Sequence, residues 1–214
     1  MTRRVACGVL VSGTGTNLEA LLRATARDDF PASVVVVISN RMSARALHVA
    51  RAHGVVARAL PQSAFGGDAI ARDRAMIDVL REHAVSIVVC AGYDRILSDD
   101  VLEAFPDAIL NVHPSLLPAF AGGMNAVEDA LAAGVKVTGC TVQLLEPGEP
   151  DGGPIVLQAA VPVLDDDDAG ALRARIHERE WELLPRAVEL LAGGHLRRDG
   201  RRVHFLDPAS AAVR

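Results

Sequence analysis

The sequence predicts an α/β fold: a Rossmann-like open, mostly parallel twisted sheet with helices on both faces, extended by antiparallel strands in the C-terminal half. Three observations predict it. Short continuous apolar runs, typical of strands buried on both faces, alternate with segments of helical period in the first half. Two longer apolar runs follow each other across a turn-rich segment in the second half. The 214 residues, half of them apolar, suffice for one domain with a full core.

The first half of the chain supplies the parallel part of the sheet. Strands are expected over residues 5–11, 33–39, 55–60, 85–91 and 107–110. Between them, helices are expected over 18–26, over 43–54 with Ser43 as the cap, over 68–83, and after a cap at Ser98. This alternation of strand and helix gives parallel neighbours with helical cover on both faces.

The second half changes character. Strands over 135–145 and 154–163 are joined by the turn-rich residues 146–153, so we expect them to pair antiparallel. The acidic residues 165–168 precede a long helix that reaches about residue 192, in which Pro185 predicts a kink or a break. Residues 195–205, with Asp199-Gly200 at their centre, predict a hairpin.

Composition narrows the function classes. The formal net charge is −5 and no basic stripe runs along the sequence, so we expect no nucleic-acid partner. No segment suits a signal peptide or a membrane span, which predicts a cytoplasmic protein without membrane contact. Cys7, Cys90 and Cys140 lie far apart, which predicts buried thiols and no metal site.

A candidate for acid–base chemistry lies at the end of the strand over 107–110. Asn111 and His113 are two residues apart, so their side chains share one face, and Pro114 ends the strand. An amide donor beside an imidazole can stabilise an oxyanion and move a proton, which are the two needs of acyl transfer. A lone histidine is usually a surface or a satisfied residue. The end of a strand in an open α/β sheet, however, is where ligands usually bind.

Three further segments have both a functional and an ordinary interpretation. The sequence SGTGTN at 12–17 lies between a strand and a helix, where backbone N–H groups can bind a phosphate, or it is a tight turn without a ligand. It lacks the third glycine of a dinucleotide fingerprint and the Gly-Lys-Ser/Thr of a P-loop. Asp151 is either a surface turn residue or a carboxylate that favours the charged form of His113. Glu180 lies in the final helix near Arg175, His177 and Arg179, where pairing of charges on the helix surface is the ordinary interpretation.

Several ordered motifs make the chain resemble the phosphoribosylglycinamide formyltransferase family, the folate-dependent enzymes of purine synthesis. The resemblance runs from about residue 4 to residue 193. The motifs are SGTGTNL at 12–18, AGYDRIL at 91–97, NVHPSLLP at 111–118, VTGCTV at 137–142 and DGGPI at 151–155. The resemblance implies one domain over 1–214: an N-terminal phosphate-binding half (1–106), a catalytic and folate half (107–194), and a C-terminal hairpin and tail (195–214).

The resemblance also implies two substrate sites. The loop residues Gly15, Thr16 and Asn17 would hold the phosphate of glycinamide ribonucleotide, and Glu180 would bind its ribose. The folate pocket would be formed, largely by main-chain contacts, by Asp94, Arg95, Ile96 and Leu97 together with Asn111.

The implied reaction moves a formyl group from 10-formyltetrahydrofolate, a co-substrate, to the amine of glycinamide ribonucleotide. Asn111 and a protonated His113 would stabilise the oxyanion, while Asp151 would keep His113 charged and take the amine proton. Neither a metal nor a nicotinamide is implied. Two alternatives stay open: a related folate-dependent formyl enzyme, acting on another amine or as a formyltetrahydrofolate hydrolase, and an inactive ligand-binding paralogue. The oligomeric state, monomer or homodimer, stays open too.

The chain departs from the family pattern at several positions near the expected folate site. Asp94 stands where a methionine is usual, and residues 66–68 lack an arginine that often meets folate, for which Arg72 or Arg74 are candidate replacements. The turn at 122–124 is one residue longer. Val127 and Gln143 each stand where a histidine is common. We expect these differences to affect folate and substrate preference.

Overall fold

A seven-stranded sheet forms the centre of the computed structural model of the protein, which describes residues 4–148 and 150–206. The strands are β1 (Val5–Val11), β2 (Ala32–Ser39), β3 (Val56–Ala59), β4 (Ile87–Cys90), β5 (Ile109–His113), β6 (Val137–Leu144) and β7 (Ile155–Pro162). Their order across the sheet is β3-β2-β1-β4-β5-β6-β7. The first five are parallel, and β6 and β7 pair antiparallel. The predicted fold class is therefore confirmed.

Helices cover both faces of this sheet. They are α1 (Thr16–Thr25), α2 (Arg45–Ala52), α3 (Ala69–Glu82), α4 (Asp99–Ala104), α5 (Ala126–Ala132) and α6 (Ala169–Ala192), with a short 3-10 helix at Gln62–Phe65. A separate antiparallel hairpin follows, made of β8 (Leu196–Asp199) and β9 (Arg202–Phe205). The remainder of the expected C-terminal tail, residues 207–214, lies outside the described residues.

The two faces of the sheet build two apolar clusters. One contains Leu21 of α1 and Leu184 of α6, and the other contains Met76 of α3 and Val101 of α4. Strand β5 takes part in both, because successive side chains point to opposite faces: Leu110 and Val112 belong to the first cluster and Ile109 to the second. Asn111 and His113 therefore lie on the same side of the sheet as α3 and α4.

The topology creates a crevice at the carboxyl edge of the parallel strands. From β1 the chain builds β2 and β3 on one side, and it then crosses to place β4 and β5 on the other side. The loops after β1 and β4 border the point where the strand order reverses. Ligands bind at such switch points in open α/β sheets. The glycine loop and the 91–97 motif are the two segments that lie there.

Three local predictions need correction. The helix expected to start at a Ser43 cap starts at Arg45, after Ala44, and no side chain caps it. Ser98 does precede α4, but its hydroxyl is buried without a hydrogen-bond partner in the described part of the chain, and its backbone N–H donates instead to Asp73 Oδ2 at 2.9 Å. Helix α5 was not predicted.

Pro185 does not divide the long final helix. Helix α6 continues from Ala169 to Ala192 with Pro185 buried inside it. Its neighbours Leu184, Ala187 and Val188 are also buried against the sheet. Burial of this apolar face outweighs the lost backbone N–H, as tertiary packing often outweighs local propensity.

Candidate active site

Strand β5 ends in the two side chains expected to carry acid–base chemistry. Asn111 is half-buried and His113 is buried. In the parallel ladder Asn111 lies opposite Cys90 of β4, and in the antiparallel ladder it lies opposite Gln143 of β6. Strand β5, paired on both sides, therefore fixes the positions of Asn111 and His113, and their polar ends reach the rim of the crevice.

His113 lies between two hydrogen-bond acceptors. Its Nε2 is 3.1 Å from the backbone carbonyl oxygen of Phe120, and its Nδ1 is 3.4 Å from Oδ2 of Asp151. A carbonyl oxygen can only accept, so Nε2 carries a hydrogen in the first contact. A carboxylate beside Nδ1 favours a hydrogen on that nitrogen as well. Each ring nitrogen of His113 therefore has an acceptor within reach.

Asp151 is held by donors from three parts of the chain. Its Oδ2 accepts the Gly122 N–H at 2.9 Å and faces His113, while its Oδ1 accepts Nε2 of Gln143 at 2.9 Å. The Asp151 backbone has a φ of 57°, in the left-handed region. Such a conformation at a non-glycine residue costs free energy, so the surrounding contacts must stabilise it. The structure thus brings Asp151 to the Asn111–His113 pair.

A cavity of about 480 Å³ opens beside these three side chains. Its lining includes Asn111, His113 and Asp151. The other residues expected in a folate pocket with Asn111 line it too: Asp94, Arg95, Ile96 and Leu97. A cavity of this size, partly apolar and with a few convergent polar groups, is typical of a small-molecule site.

The glycine loop adopts the geometry of an anion site. Gly15 has a φ of 84°, and a Cβ placed there would lie 2.8 Å from Cα of Ala46. Only glycine fits this left-handed, closely packed position. Thr16 and Asn17 then begin α1, so their backbone N–H groups lie at a helix N-terminus, where anions are stabilised. None of these three residues is in the lining of the cavity.

A closed ring of hydrogen bonds joins the glycine loop to the cavity wall. Ser12 Oγ donates to Asn40 Oδ1 at 2.7 Å, and Asn40 Nδ2 donates to Asp94 Oδ1 at 2.7 Å. The Asp94 N–H completes the ring by donating to Ser12 Oγ at 2.9 Å. Asp94 also pairs with Arg41. Asp94 thus ties the two loops of the switch point together, directly through its backbone N–H and indirectly through its side chain by way of Asn40.

Glu180 is a buried carboxyl group beside the glycine loop. Asn17 Nδ2 donates to its Oε2 at 2.7 Å, and Nε2 of His177 is 4.0 Å away. Burial raises the pKa of the Glu180 carboxyl to about 7, although the Asn17 hydrogen bond opposes that rise. Helix-surface pairing is therefore the wrong interpretation for Glu180. Its contact with Asn17 places it next to the segment expected to bind phosphate.

Some of the positions that depart from the family pattern line the cavity, and others lie elsewhere. Val127 is buried in the apolar cluster that contains α1 and α6, which explains an apolar residue there. Gly122, Gly123 and Met124 line the cavity. Arg72 is buried against Asp73, whereas Arg74 pairs with Asp100 on the surface, and neither lines the cavity. The expectation that one of these arginines meets the folate is therefore not supported.

Sequence reasoning missed the groups that hold the site together. Gln143, Phe120 and Gly122 contact Asp151 or His113 but were not expected to do so. The sequence of β6 could have indicated Gln143, because this glutamine interrupts a mainly apolar strand and lies opposite Asn111. The Phe120 and Gly122 contacts use backbone groups of a loop, which sequence alone does not indicate.

Residues 4–148 and 150–206 contain neither a cluster suited to a metal ion nor a helix suited to a membrane span. No group of three or more histidine, cysteine or carboxylate side chains is arranged to hold a metal ion. None of the helices in this part of the chain has the length and apolar character needed to cross a membrane.

The fold and the site together define the class of protein. A family model described as formyl transferase matches residues 4–188. The phosphoribosylglycinamide formyltransferase of Mycobacterium tuberculosis is 46% identical over 184 residues, which cover 86% of this chain and 83% of that protein. The chain therefore belongs to the formyl transferase family and, within it, to the phosphoribosylglycinamide formyltransferases.

Two other comparisons describe the relationship further. The crystal structure of glycinamide ribonucleotide transformylase 1 from Symbiobacterium toebii superimposes with a TM-score of 0.93 at 45% identity, covering 97% of this chain and 96% of that one. The trifunctional purine biosynthetic protein adenosine-3 of Gallus gallus is 41% identical over 193 residues. That match covers 90% of this chain but 19% of the trifunctional protein, so the chain spans about a fifth of that relative.

Proposed function

We propose that this protein transfers the formyl group of 10-formyltetrahydrofolate to the amine of glycinamide ribonucleotide, a step of purine synthesis. One observation carries the proposal: Asn111, His113 and Asp151 converge on the cavity beside the glycine loop, in a phosphoribosylglycinamide formyltransferase fold. Both proposed substrates are small molecules.

The ribonucleotide would bind at the carboxyl edge of β1. The backbone N–H groups of Gly15, Thr16 and Asn17 would bind its phosphate at the N-terminus of α1. Glu180 would accept a hydrogen bond from a ribose hydroxyl, since Asn17 already holds its carboxyl group at the loop. The amine would then extend towards Asn111 and His113.

The cavity fits a folate better than it fits a nucleotide cofactor. Its lining includes the apolar residues Leu97 and Leu102 and the chain segment 94–97, whose backbone groups are potential hydrogen-bond partners. A flat heterocycle can bury its faces against the former and hydrogen-bond to the latter. When bound, a formylfolate supplies an activated formyl group on nitrogen.

The side chains of the site would then act on the formyl oxygen and on the amine proton. His113 and the Asn111 amide would donate hydrogen bonds to the oxygen as its negative charge develops. For this, Nε2 of His113 would exchange the Phe120 carbonyl for the formyl oxygen. Asp151 would keep His113 charged and would accept the proton lost by the amine, directly or through a water. The bond from the formyl carbon to N10 would then break, and N10 would take up a proton and leave as tetrahydrofolate. Gly122 and Gln143 hold Asp151 for that task.

The proposal is tested by mixing the purified protein with glycinamide ribonucleotide and 10-formyl-5,8-dideazafolate and following absorbance as the formyl group leaves. We expect turnover that requires both substrates. Turnover without the ribonucleotide would show a hydrolase, and turnover only with a different amine would show a different transferase. Binding of both substrates without turnover would show an inactive paralogue.

A further inference from the structure

Gln143 contacts the proposed catalytic machinery from the neighbouring strand. It is fully buried on β6, and its register partner on β5 is Asn111. Its Nε2 donates to Oδ1 of Asp151 at 2.9 Å. The titratable groups around it are Asp151 itself and, beyond Asp151, His113.

The two oxygens of Asp151 have different partners. Oδ2 takes the Gly122 N–H and faces His113, whereas Oδ1 takes the Gln143 amide. Asp151 lies in the glycine- and proline-rich loop between β6 and β7, outside regular secondary structure. A donor from a rigid central strand fixes the rotation of the carboxylate and so directs Oδ2 at His113.

The buried amide of Gln143 lowers the stability of the folded protein. Its Oε1 is buried and has no hydrogen-bond partner within the residues that the structure describes. A buried unpaired acceptor destabilises a folded protein. The reverse amide orientation is disfavoured, because Oε1 would then face a carboxylate oxygen. A residue selected for stability alone would be apolar here, because an apolar side chain leaves no buried acceptor unpaired.

We propose that Gln143 is the positioning residue for Asp151 in formyl transfer. This inference rests on the proposed function and adds a fourth side chain to its site. An uncharged amide donates in the same way at every working pH, whereas a histidine there would gain or lose a proton. Gln143 therefore holds Asp151 without adding an ionisation of its own.

The test compares Gln143→Leu, Gln143→Glu and Gln143→His with wild type in the full-length protein. Thr138→Val is the matched control, because Thr138 is buried on the same strand and its hydroxyl has no partner in the described residues. For Gln143→Leu we expect kcat to fall by ~10- to 100-fold, as for a misplaced catalytic group, with KM for the ribonucleotide nearly unchanged. Its thermal midpoint should change little, since loss of the unpaired acceptor offsets loss of the donor to Asp151. Thr138→Val should keep the wild-type kcat.

Gln143→Glu and Gln143→His should each change the pH dependence of kcat, which a merely structural role of Gln143 would not do. In Gln143→Glu two carboxylates face each other and can share one proton. We expect its kcat, divided by that of wild type at the same pH, to rise as pH falls from about 8 to about 6. Gln143→His restores a donor, so most of kcat should return, with an additional ionisation in the pH profile.

Three results would overturn the inference: a wild-type kcat for Gln143→Leu, a kcat ratio for Gln143→Glu that does not change with pH, or no rescue by Gln143→His. If Gln143→Leu fails to fold, the pH profiles of Gln143→Glu and Gln143→His decide whether Gln143 positions Asp151. An inactive wild type with both substrates would instead refute the proposed function, so the two failures are distinguishable.

Discussion

At the scale of single residues, the chemistry depends on how Asp151 and Phe120 enclose the imidazole of His113. The two acceptors lie 3.4 Å from Nδ1 and 3.1 Å from Nε2. Neither contact comes from the strand that carries His113. The orientation of the imidazole therefore depends on two loops, although β5 fixes its position.

The first prediction concerns His113 and Asp151. His113→Ala removes an oxyanion donor and Asp151→Asn removes its charge partner, so each should lower kcat by ~10²-fold or more. Steady-state kinetics with both substrates saturating measure the effect, and circular dichroism checks that the fold is retained. Turnover near the wild-type rate in either folded variant would contradict the assignment.

The second prediction concerns Glu180 and stability. Burial raises the pKa of Glu180 from 4.5 to about 7, so the folded state keeps a proton that the unfolded chain loses above about pH 4.5. Between these values the folded state binds more protons, and the free energy of unfolding falls as pH rises. Glu180→Gln removes this penalty. Its thermal midpoint relative to wild type should therefore rise between about pH 5 and pH 8.

The control for Glu180 is Glu182→Gln on the same helix. Glu182 is half-exposed and pairs with Arg179 on the surface. This change should leave the pH dependence of the midpoint as in wild type. The same upward trend in both variants would mean that burial of Glu180 is not its cause.

At the scale of elements, the strands and most helices follow from the sequence, whereas several of their ends do not. The alternation of apolar runs and helical periods placed β1, β2, β4 and α6, because burial on one or both faces leaves a strong periodic signal. The caps predicted at Ser43 and Ser98 are wrong, since a serine forms a cap only where its hydroxyl reaches a free N–H. Pro185 shows the same limit: the sequence indicates a kink or a break, and packing prevents the break.

In the candidate site, too, the sequence indicated the main side chains but not the contacts that hold them. Asn111 and His113 followed from strand alternation, and the family resemblance indicated Asp151 and Glu180. The contacts that hold them come from loops and from β6, tens of residues away in sequence. Phe120 contributes only a carbonyl and Gly122 only an N–H, so their side chains carry no signal. Gln143 stood out as a departure from the family, but its bond to Asp151 required the structure.

The third prediction concerns the glycine loop as an element. Gly15→Ala forces a Cβ within 2.8 Å of Ala46 at a φ of 84°. A left-handed conformation alone costs about 1–2 kcal/mol for a residue with a Cβ, so the thermal midpoint should fall. A displaced loop should also raise KM for the ribonucleotide more than KM for the folate.

Gly13 of the same loop is the matched control. A Cβ there would meet nothing within 4 Å, and its φ is not in the left-handed region. Gly13→Ala should keep the wild-type thermal midpoint. Equal loss of stability in both variants would mean that the loop responds to any side chain, and that the special conformation of Gly15 is not the cause.

At the scale of the whole molecule, the reversal of strand order brings three separate segments to one edge of the sheet. The glycine loop follows β1, the 94–97 wall follows β4, and the Asn111–His113 pair ends β5. The ring of Ser12, Asn40 and Asp94 joins the first two. Two small substrates bound to these segments would meet above β5, which is the geometry that formyl transfer needs.

The most direct test of this account follows an isotopically labelled formyl group from 10-formyltetrahydrofolate into the products. The purified protein is incubated with the labelled folate and glycinamide ribonucleotide, and the products are identified by mass spectrometry. The account predicts that the label appears on the ribonucleotide, one formyl group for each folate consumed, and that His113→Ala nearly abolishes this transfer. Label released as formate, or folate consumed without a formylated ribonucleotide, would contradict it.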